Sequence, residues 1–122
     1  MSVSTRDFPK GEGSNVHIIV YVPSTKNVSE KISDAEFKKR VGEAKNFLNR
    51  AFGGTTTVKG VGSYTAENGL VQENVALVET FTKKKDYNAN DLKIKKWLLA
   101  KKQAWGQESM AYEYEESMYF VK

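Results

Sequence analysis

The sequence contains no cysteine and a single histidine, His17. Without cysteine the chain forms no disulfide. One histidine and no thiolate effectively exclude a structural zinc site, so we predict no metal and no cofactor. Oxygen ligation of Mg²⁺ or Ca²⁺ by carboxylates is left open by this argument.

Long apolar runs are missing as well. The longest candidate, residues 16–22, has the size of a strand and is interrupted by Tyr21, so we expect no membrane association. Residues 1–14 are polar and lack the apolar core of a signal peptide. The chain is therefore expected to be cytoplasmic.

The chain has the size and composition of one folded domain. Its 122 residues include 39% apolar and 28% charged side chains, which is too apolar for a disordered protein. Residues 1–14, with Pro9, Gly11 and Gly13, predict a flexible leader. Residues 15–122 then form a single α+β domain.

Two elements are predicted in the first half. Residues 15–23 are rich in β-branched side chains and apolar on both faces, as in a central strand. Ser33 and Glu36 form a capping box for a helix that ends at Gly53-Gly54. The apolar stripe of that helix recurs at helical spacing at Phe37, Val41, Ala44, Leu48 and Phe52.

The second half adds a hairpin, a helix and a strand. Residues 55–64 and 70–82 predict two strands joined by a turn at Asn68-Gly69. A helix is predicted to begin at Asn88, with Asp91 as the partner in its cap. Its buried side is predicted to hold Leu92, Ile94, Trp97, Leu98, Leu99 and Trp105. Residues 110–121 alternate as one last strand, with a bulge at Glu116.

The element order βαββαβ predicts a ferredoxin-like fold, an antiparallel four-stranded sheet with both helices on one face. The opposite face of this sheet is then open. His17, Ile19 and Tyr21 are expected on it and are the predicted ligand-binding residues. Because so apolar a face is usually covered, we predict a homo-oligomer, a dimer formed through the open face.

Several short segments resemble a loose family of uncharacterised small bacterial and phage proteins. The resemblance rests on residues 21–24 (YVPS), residues 52–56 (FGGTT), residues 60–64, Gly69 and Glu73, within residues 19–82. Tyr64 stands near a position where that family pattern has Trp. The resemblance implies a ferredoxin-like fold and a bacterial or phage-infected host cell. It implies no activity and no catalytic residue.

His17 is the candidate for acid–base chemistry. Its pKa range suits proton transfer near neutral pH if a carboxylate lies across the sheet, and Glu73 and Glu79 share the required parity. The alternative is an ordinary half-buried strand residue. The glycines form neither a phosphate-binding loop nor a dinucleotide fingerprint.

A lysine-rich segment, residues 83–102, is the candidate for binding phosphates. The lysines singled out for nucleic-acid or anion binding are Lys83, Lys84, Lys85, Lys93, Lys96 and Lys101. The alternative is a solvated helix face, because Trp97 and Trp105 have the spacing of core residues. Residues 74–81 lack the basic residue and glycine of an RNA-recognition motif, so that class is not favoured.

The first functional hypothesis is a non-enzymatic binding or regulatory module. It would be a phage or mobile-element accessory protein that acts on a protein partner or an anionic ligand. One alternative is sequence-independent nucleic-acid binding through residues 83–102. The other is a small enzyme that uses His17 with Glu73 or Glu79.

Overall fold

The computed structural model describes residues 15–27, 30–115 and 117–122. The predicted leader, residues 1–14, and the predicted bulge at Glu116 lie outside these residues. The elements are β1 (Asn15–Pro23), β2 (Thr25–Lys26), β3 (Glu30–Lys31), α1 (Asp34–Phe52), β4 (Thr56–Ala66), β5 (Gly69–Lys83), α2 (Lys84–Ala104), β6 (Met110–Tyr114) and β7 (Ser117–Val121). No helix in the described part of the chain is both long and apolar enough to cross a membrane.

The main sheet has five antiparallel strands in the order β4-β5-β1-β6-β7, and β2 pairs with β3 in a separate two-stranded sheet. The prediction of a four-stranded ferredoxin-like sheet is therefore wrong. The predicted last strand folds back on itself instead, and β6 pairs with β7 from Met110–Val121 to Tyr114–Ser117. Glu115, with φ of 52°, lies in the turn. Because both arms of this hairpin are apolar on alternate residues, the sequence looks like one strand.

The core lies on one face of the sheet. Ile18, Val20 and Val22 of β1 are fully buried there in one cluster with residues of both helices, such as Leu48 and Leu98. Both helices therefore cover this face of the sheet. The other face, here called the open face, carries the alternate residues of each strand.

Helix α1 and the β4–β5 hairpin follow their sequence signals. The Ser33 Oγ atom accepts a hydrogen bond from the Glu36 backbone amide at 3.1 Å, and Gly53 ends the helix with φ of 96°. The β4–β5 register closes at Ala66–Gly69, with Gly69 at φ of 115°. These three predictions are confirmed.

Helix α2 differs from its prediction at the start and on its buried side. It begins at Lys84, not at Asn88, and no side chain caps it. Tyr87 is buried within this added turn. Leu92 is 63% exposed and Leu99 is 44% exposed, so their predicted burial is wrong.

Arg40 joins three segments on the helix side of the sheet. Its side chain is almost fully buried and donates to the backbone oxygens of Pro23 and Thr25, both at 2.9 Å, and of Trp105 at 3.2 Å. The guanidinium also lies 5.2 Å from the centre of the Trp105 ring. Burial lowers the pKa of Arg40, and the nearby carboxylate of Glu36 opposes that shift. Arg40 thus ties β1, β2 and the end of α2 together.

Candidate functional site

His17 forms a polar pair with Glu79 on the open face. The Nε2 atom of His17 lies 2.8 Å from Oε1 of Glu79, and both side chains are half-buried. Because a carboxylate only accepts, this contact requires the hydrogen on Nε2. The imidazole stacks on Phe81, its partner across β5, with ring centres 4.4 Å apart.

Tyr21 forms a second pair beside the first. Its hydroxyl donates to Oε2 of Glu113 at 2.9 Å. Burial, the hydrogen bond to Glu113 and the negative charges of Glu113 and Glu79 together raise the pKa of Tyr21 to about 12. Ile19 lies between the two pairs and is 9% exposed. We call His17, Ile19, Tyr21, Glu79 and Glu113 the open-face cluster.

The Tyr21 phenol should therefore ionise unusually late. Its pKa in the folded state is above that of an unfolded tyrosine, so this group stabilises the fold below about pH 10, the unfolded value. That contribution is lost as the pH rises through about 12. The absorbance of phenolate at alkaline pH, compared between the wild type and Tyr21→Phe, isolates this titration. Glu113→Gln should move it to lower pH, and an unchanged midpoint in that variant would contradict the assigned cause.

Glu73 lies far from His17. It stands six residues before Glu79 on β5, which is about 20 Å along an extended strand. Its Oε2 atom is 3.4 Å from the Thr25 hydroxyl, a long contact. The structure therefore brings His17 to Glu79 and not to Glu73.

Glu73 instead lines a groove of about 420 Å³ between the β4–β5 hairpin and the start of α1, here called the Glu73 groove. Its walls are formed by Ser24, Lys31, Ile32, Asp34, Phe37, Val61, Gln72, Glu73 and Asn74. A volume of this size falls in the range of small-molecule sites. The groove offers carboxylates, one ammonium group and apolar surface together.

Two hydrogen bonds of Ser24 fix one end of the Glu73 groove. The Ser24 hydroxyl donates to the Asn74 carbonyl at 2.6 Å, and the Ser24 carbonyl accepts from the Ile32 amide at 3.1 Å. These bonds hold β1, β3 and β5 together where α1 begins. The partial positive charge of that helix end favours an anion nearby.

Sequence reasoning missed some residues of both sites. Lys31 and Asp34 were not singled out, although opposite charges two residues before and one residue after the Ser33 cap are a visible signal of a polar helix entrance. Glu113 was also missed, although a carboxylate within an otherwise aromatic strand needs a polar partner. Ser24, Val61 and Glu73 belong to three of the segments that carried the family resemblance.

The lysines of residues 83–102 do not form one surface. Lys83, Lys84 and Lys85 are exposed where α2 begins, and Lys93 and Lys96 are exposed farther along it. Lys101 is half-buried and pairs with Glu43 at 2.9 Å over the Trp97 ring.

Trp97 and Trp105 are engaged in the core. Trp97 stacks on Phe47, with ring centres 4.8 Å apart, and meets Trp105 edge to face. They offer no free platforms for bases. Nucleic-acid binding through this segment stays a prediction that the structure does not strengthen.

No cluster of metal ligands forms among residues 15–27, 30–115 and 117–122. No protein-family model matches the sequence. No curated protein matches it either.

One solved structure does match, that of a phage SAM lyase in complex with S-methyl-5'-thioadenosine. The TM-score is 0.63 at 15% sequence identity, and the match covers 95% of each chain. The two proteins share a fold. The protein that shares this fold is an enzyme, which contradicts the prediction of a non-enzymatic binding module.

Proposed function

We propose that this chain is a small enzyme that cleaves S-adenosylmethionine (SAM) at its sulfonium and releases S-methyl-5'-thioadenosine. The observation that carries the proposal is the fold shared, over nearly the whole chain, with a phage SAM lyase in complex with S-methyl-5'-thioadenosine. The Glu73 groove supports it, because its charges match those of this substrate. Such an enzyme acts where SAM is present, in the cytoplasm of a bacterial or phage-infected host cell.

The charges of the Glu73 groove suit the amino-acid part of SAM. SAM carries two cationic groups, the sulfonium and the α-ammonium, and one carboxylate. Glu73 and Asp34 supply negative charge for the cations, while Lys31 and the start of α1 favour the carboxylate. Ile32, Phe37 and Val61 supply apolar surface for the nucleoside.

The open-face cluster is the weaker candidate for this substrate. Its carboxylates already have partners, since Glu79 accepts from His17 and Glu113 accepts from Tyr21. A ligand would have to replace both hydrogen bonds. Within residues 15–27, 30–115 and 117–122, the carboxylate of Glu73 has only the long contact with Thr25, which leaves it able to bind a cation.

Two reactions release S-methyl-5'-thioadenosine without adding water. In the first, the substrate's own carboxylate attacks its γ-carbon, the C–S bond breaks, and the bonding pair returns to sulfur. The products are the thioether and homoserine lactone, and no proton is transferred. In the second, a base removes a proton from the β-carbon, and the products are the thioether, 2-aminobut-3-enoic acid and a protonated base.

The groove favours the first reaction. A carboxylate such as Glu73 is a weak base for an unactivated carbon acid, and His17 is distant from the groove. Lactone formation needs no base. It needs the aminobutyrate chain held in a folded conformer, and binding of the α-ammonium group provides this. The reaction also neutralises the charges of the carboxylate and the sulfonium, so partial exclusion of water assists it.

The test is incubation of the purified protein with SAM, followed by chromatography and mass spectrometry. The expected products are S-methyl-5'-thioadenosine and homoserine lactone in equal amounts. The reaction is repeated in ¹⁸O-labelled water to distinguish lactone formation from direct hydrolysis. Lactone formed directly from SAM and quenched early contains no solvent oxygen, whereas the product of direct hydrolysis does. Absence of S-methyl-5'-thioadenosine above the rate of spontaneous SAM decay would refute the proposal. Formation of 2-aminobut-3-enoic acid would support the proposed lyase activity and would exclude lactone formation as its mechanism.

A further inference from the structure

The open face carries apolar side chains that nothing in the described chain covers. The strand register places Val58, Phe81, Met118 and Phe120 on this face, with exposed fractions of 46%, 55%, 45% and 56%. These residues extend from one edge strand, β4, to the other, β7, and exposed apolar area of this kind is typical of an interaction surface.

The same face is acidic although the whole chain carries a net charge of +4. The register places Glu79 and Glu113 on it, against Lys83 at its rim. The raised pKa of Tyr21 has the same origin in part, because the charges of Glu113 and Glu79 oppose its ionisation. A dimer of two open faces would bring like charges together on a shared apolar surface, which is costly.

The outer side of α2 has the complementary properties. One stripe along it, at intervals of three and four residues, is exposed throughout, and we call it the outer stripe: Lys85, Ala89, Leu92, Lys96, Leu99 and Gln103. Two leucines seven residues apart alternate with lysines along it. Because these leucines are exposed, they do not stabilise the core of their own chain. Phosphate binding does not require them either.

We propose that the outer stripe of one copy of this chain packs on the open face of a second copy. The leucines of the stripe meet the apolar side chains of the open face, and its lysines meet the glutamates. The dimensions agree, because the 21 residues of α2 span about 31 Å and the nine residues of β1 about 30 Å. The contact is head-to-tail, so each copy keeps one free surface unless the copies close into a ring. This association is independent of the proposed function.

Two double variants test the proposal, each disabling one surface. Phe81→Glu with Phe120→Glu changes the open face, and Leu92→Glu with Leu99→Glu changes the outer stripe. All four side chains are exposed, so circular dichroism and thermal unfolding should show that both variants fold. Sedimentation velocity over a concentration series is expected to show assembly of the wild type and monomers of either variant alone.

Mixing the two variants is the decisive measurement. Each retains the surface that the other lacks, so an equimolar mixture should form a heterodimer and nothing larger. Added salt should weaken the wild-type assembly, since the contact includes lysine–glutamate pairs.

Three outcomes would overturn the proposal. One is a wild type that stays monomeric at all concentrations. Another is a stripe variant that assembles like the wild type, which would indicate contact between two open faces. The third is a mixture that remains monomeric. If duplex DNA binds a monomeric wild type and fails to bind the stripe variant, the stripe is a nucleic-acid surface instead.

Discussion

Glu73→Gln is expected to lower kcat/KM for SAM cleavage by about 100-fold or more, because the variant keeps the shape of the side chain and removes its charge. Losing one partner of a desolvated charged contact costs about 2–5 kcal/mol, and about 2.7 kcal/mol corresponds to a factor of 100. Among the described residues, the carboxylate of Glu73 makes one long contact, with the Thr25 hydroxyl at 3.4 Å. Its loss should therefore affect substrate binding and positioning more than folding.

Glu79→Gln is the matched control. Glu79 is the same residue type on the same strand, six positions away, and it is paired with His17. Its substitution should change kcat/KM by less than about threefold, or about 0.7 kcal/mol. A large loss in Glu79→Gln with normal activity in Glu73→Gln would place the reaction at the open-face cluster. Equal losses in both would argue against a local role for either.

Arg40→Ala is expected to destabilise the fold by about 3–5 kcal/mol, which is a large share of the stability of a domain this size. The substitution removes a buried charged donor from three backbone oxygens, those of Pro23, Thr25 and Trp105. It also leaves a cavity beside the Trp105 ring. Urea unfolding followed by tryptophan fluorescence measures the change in the free energy of unfolding.

Two further variants separate the contributions of Arg40. Arg40→Met keeps most of the packing and removes the hydrogen bonds, so it should be destabilised nearly as much as Arg40→Ala. Arg50→Ala removes an exposed arginine from the last turn of the same helix and should cost less than about 1 kcal/mol. A loss in Arg40→Ala no larger than that in Arg50→Ala would show that Arg40 is not the tie between these segments.

Local signals in the sequence predicted the local structure well. The Ser33 cap, Gly53 and the Asn68-Gly69 turn each specify backbone geometry within a few residues, and all three are found where expected. The prediction failed where tertiary contacts decide. Alternation does not distinguish one long strand from two short ones, so the β6–β7 hairpin and the fifth strand were missed. Helix α2 begins at Lys84 rather than Asn88 because burial of Tyr87 against Tyr114 stabilises the added turn.

The sites were predictable to a smaller extent. Parity correctly placed His17 and Glu79 on one face, because the side chains of a strand alternate strictly. Parity also made Glu73 a candidate neighbour of His17, but parity carries no information on distance along a strand. Glu73 stands about 20 Å along β5 from Glu79, the partner of His17. The Glu73 groove depends on the corner where β1, β3 and α1 meet. Contacts between segments distant in sequence leave no periodic pattern.

The strand order has a consequence for how the chain acquires its structure. The first strand of the described chain, β1, is the middle of the sheet, and its partners are residues 75–83 on one side and 112–114 on the other. Closing such distant pairings requires large loops to be ordered first, which slows folding to about the millisecond-to-second range. During synthesis β1 must wait, with its apolar residues unpaired, until most of the chain has emerged. While β1 is unpaired, it can pair with a strand of another nascent copy. Aggregation through β1 is therefore the main risk that this strand order creates for expression of the protein.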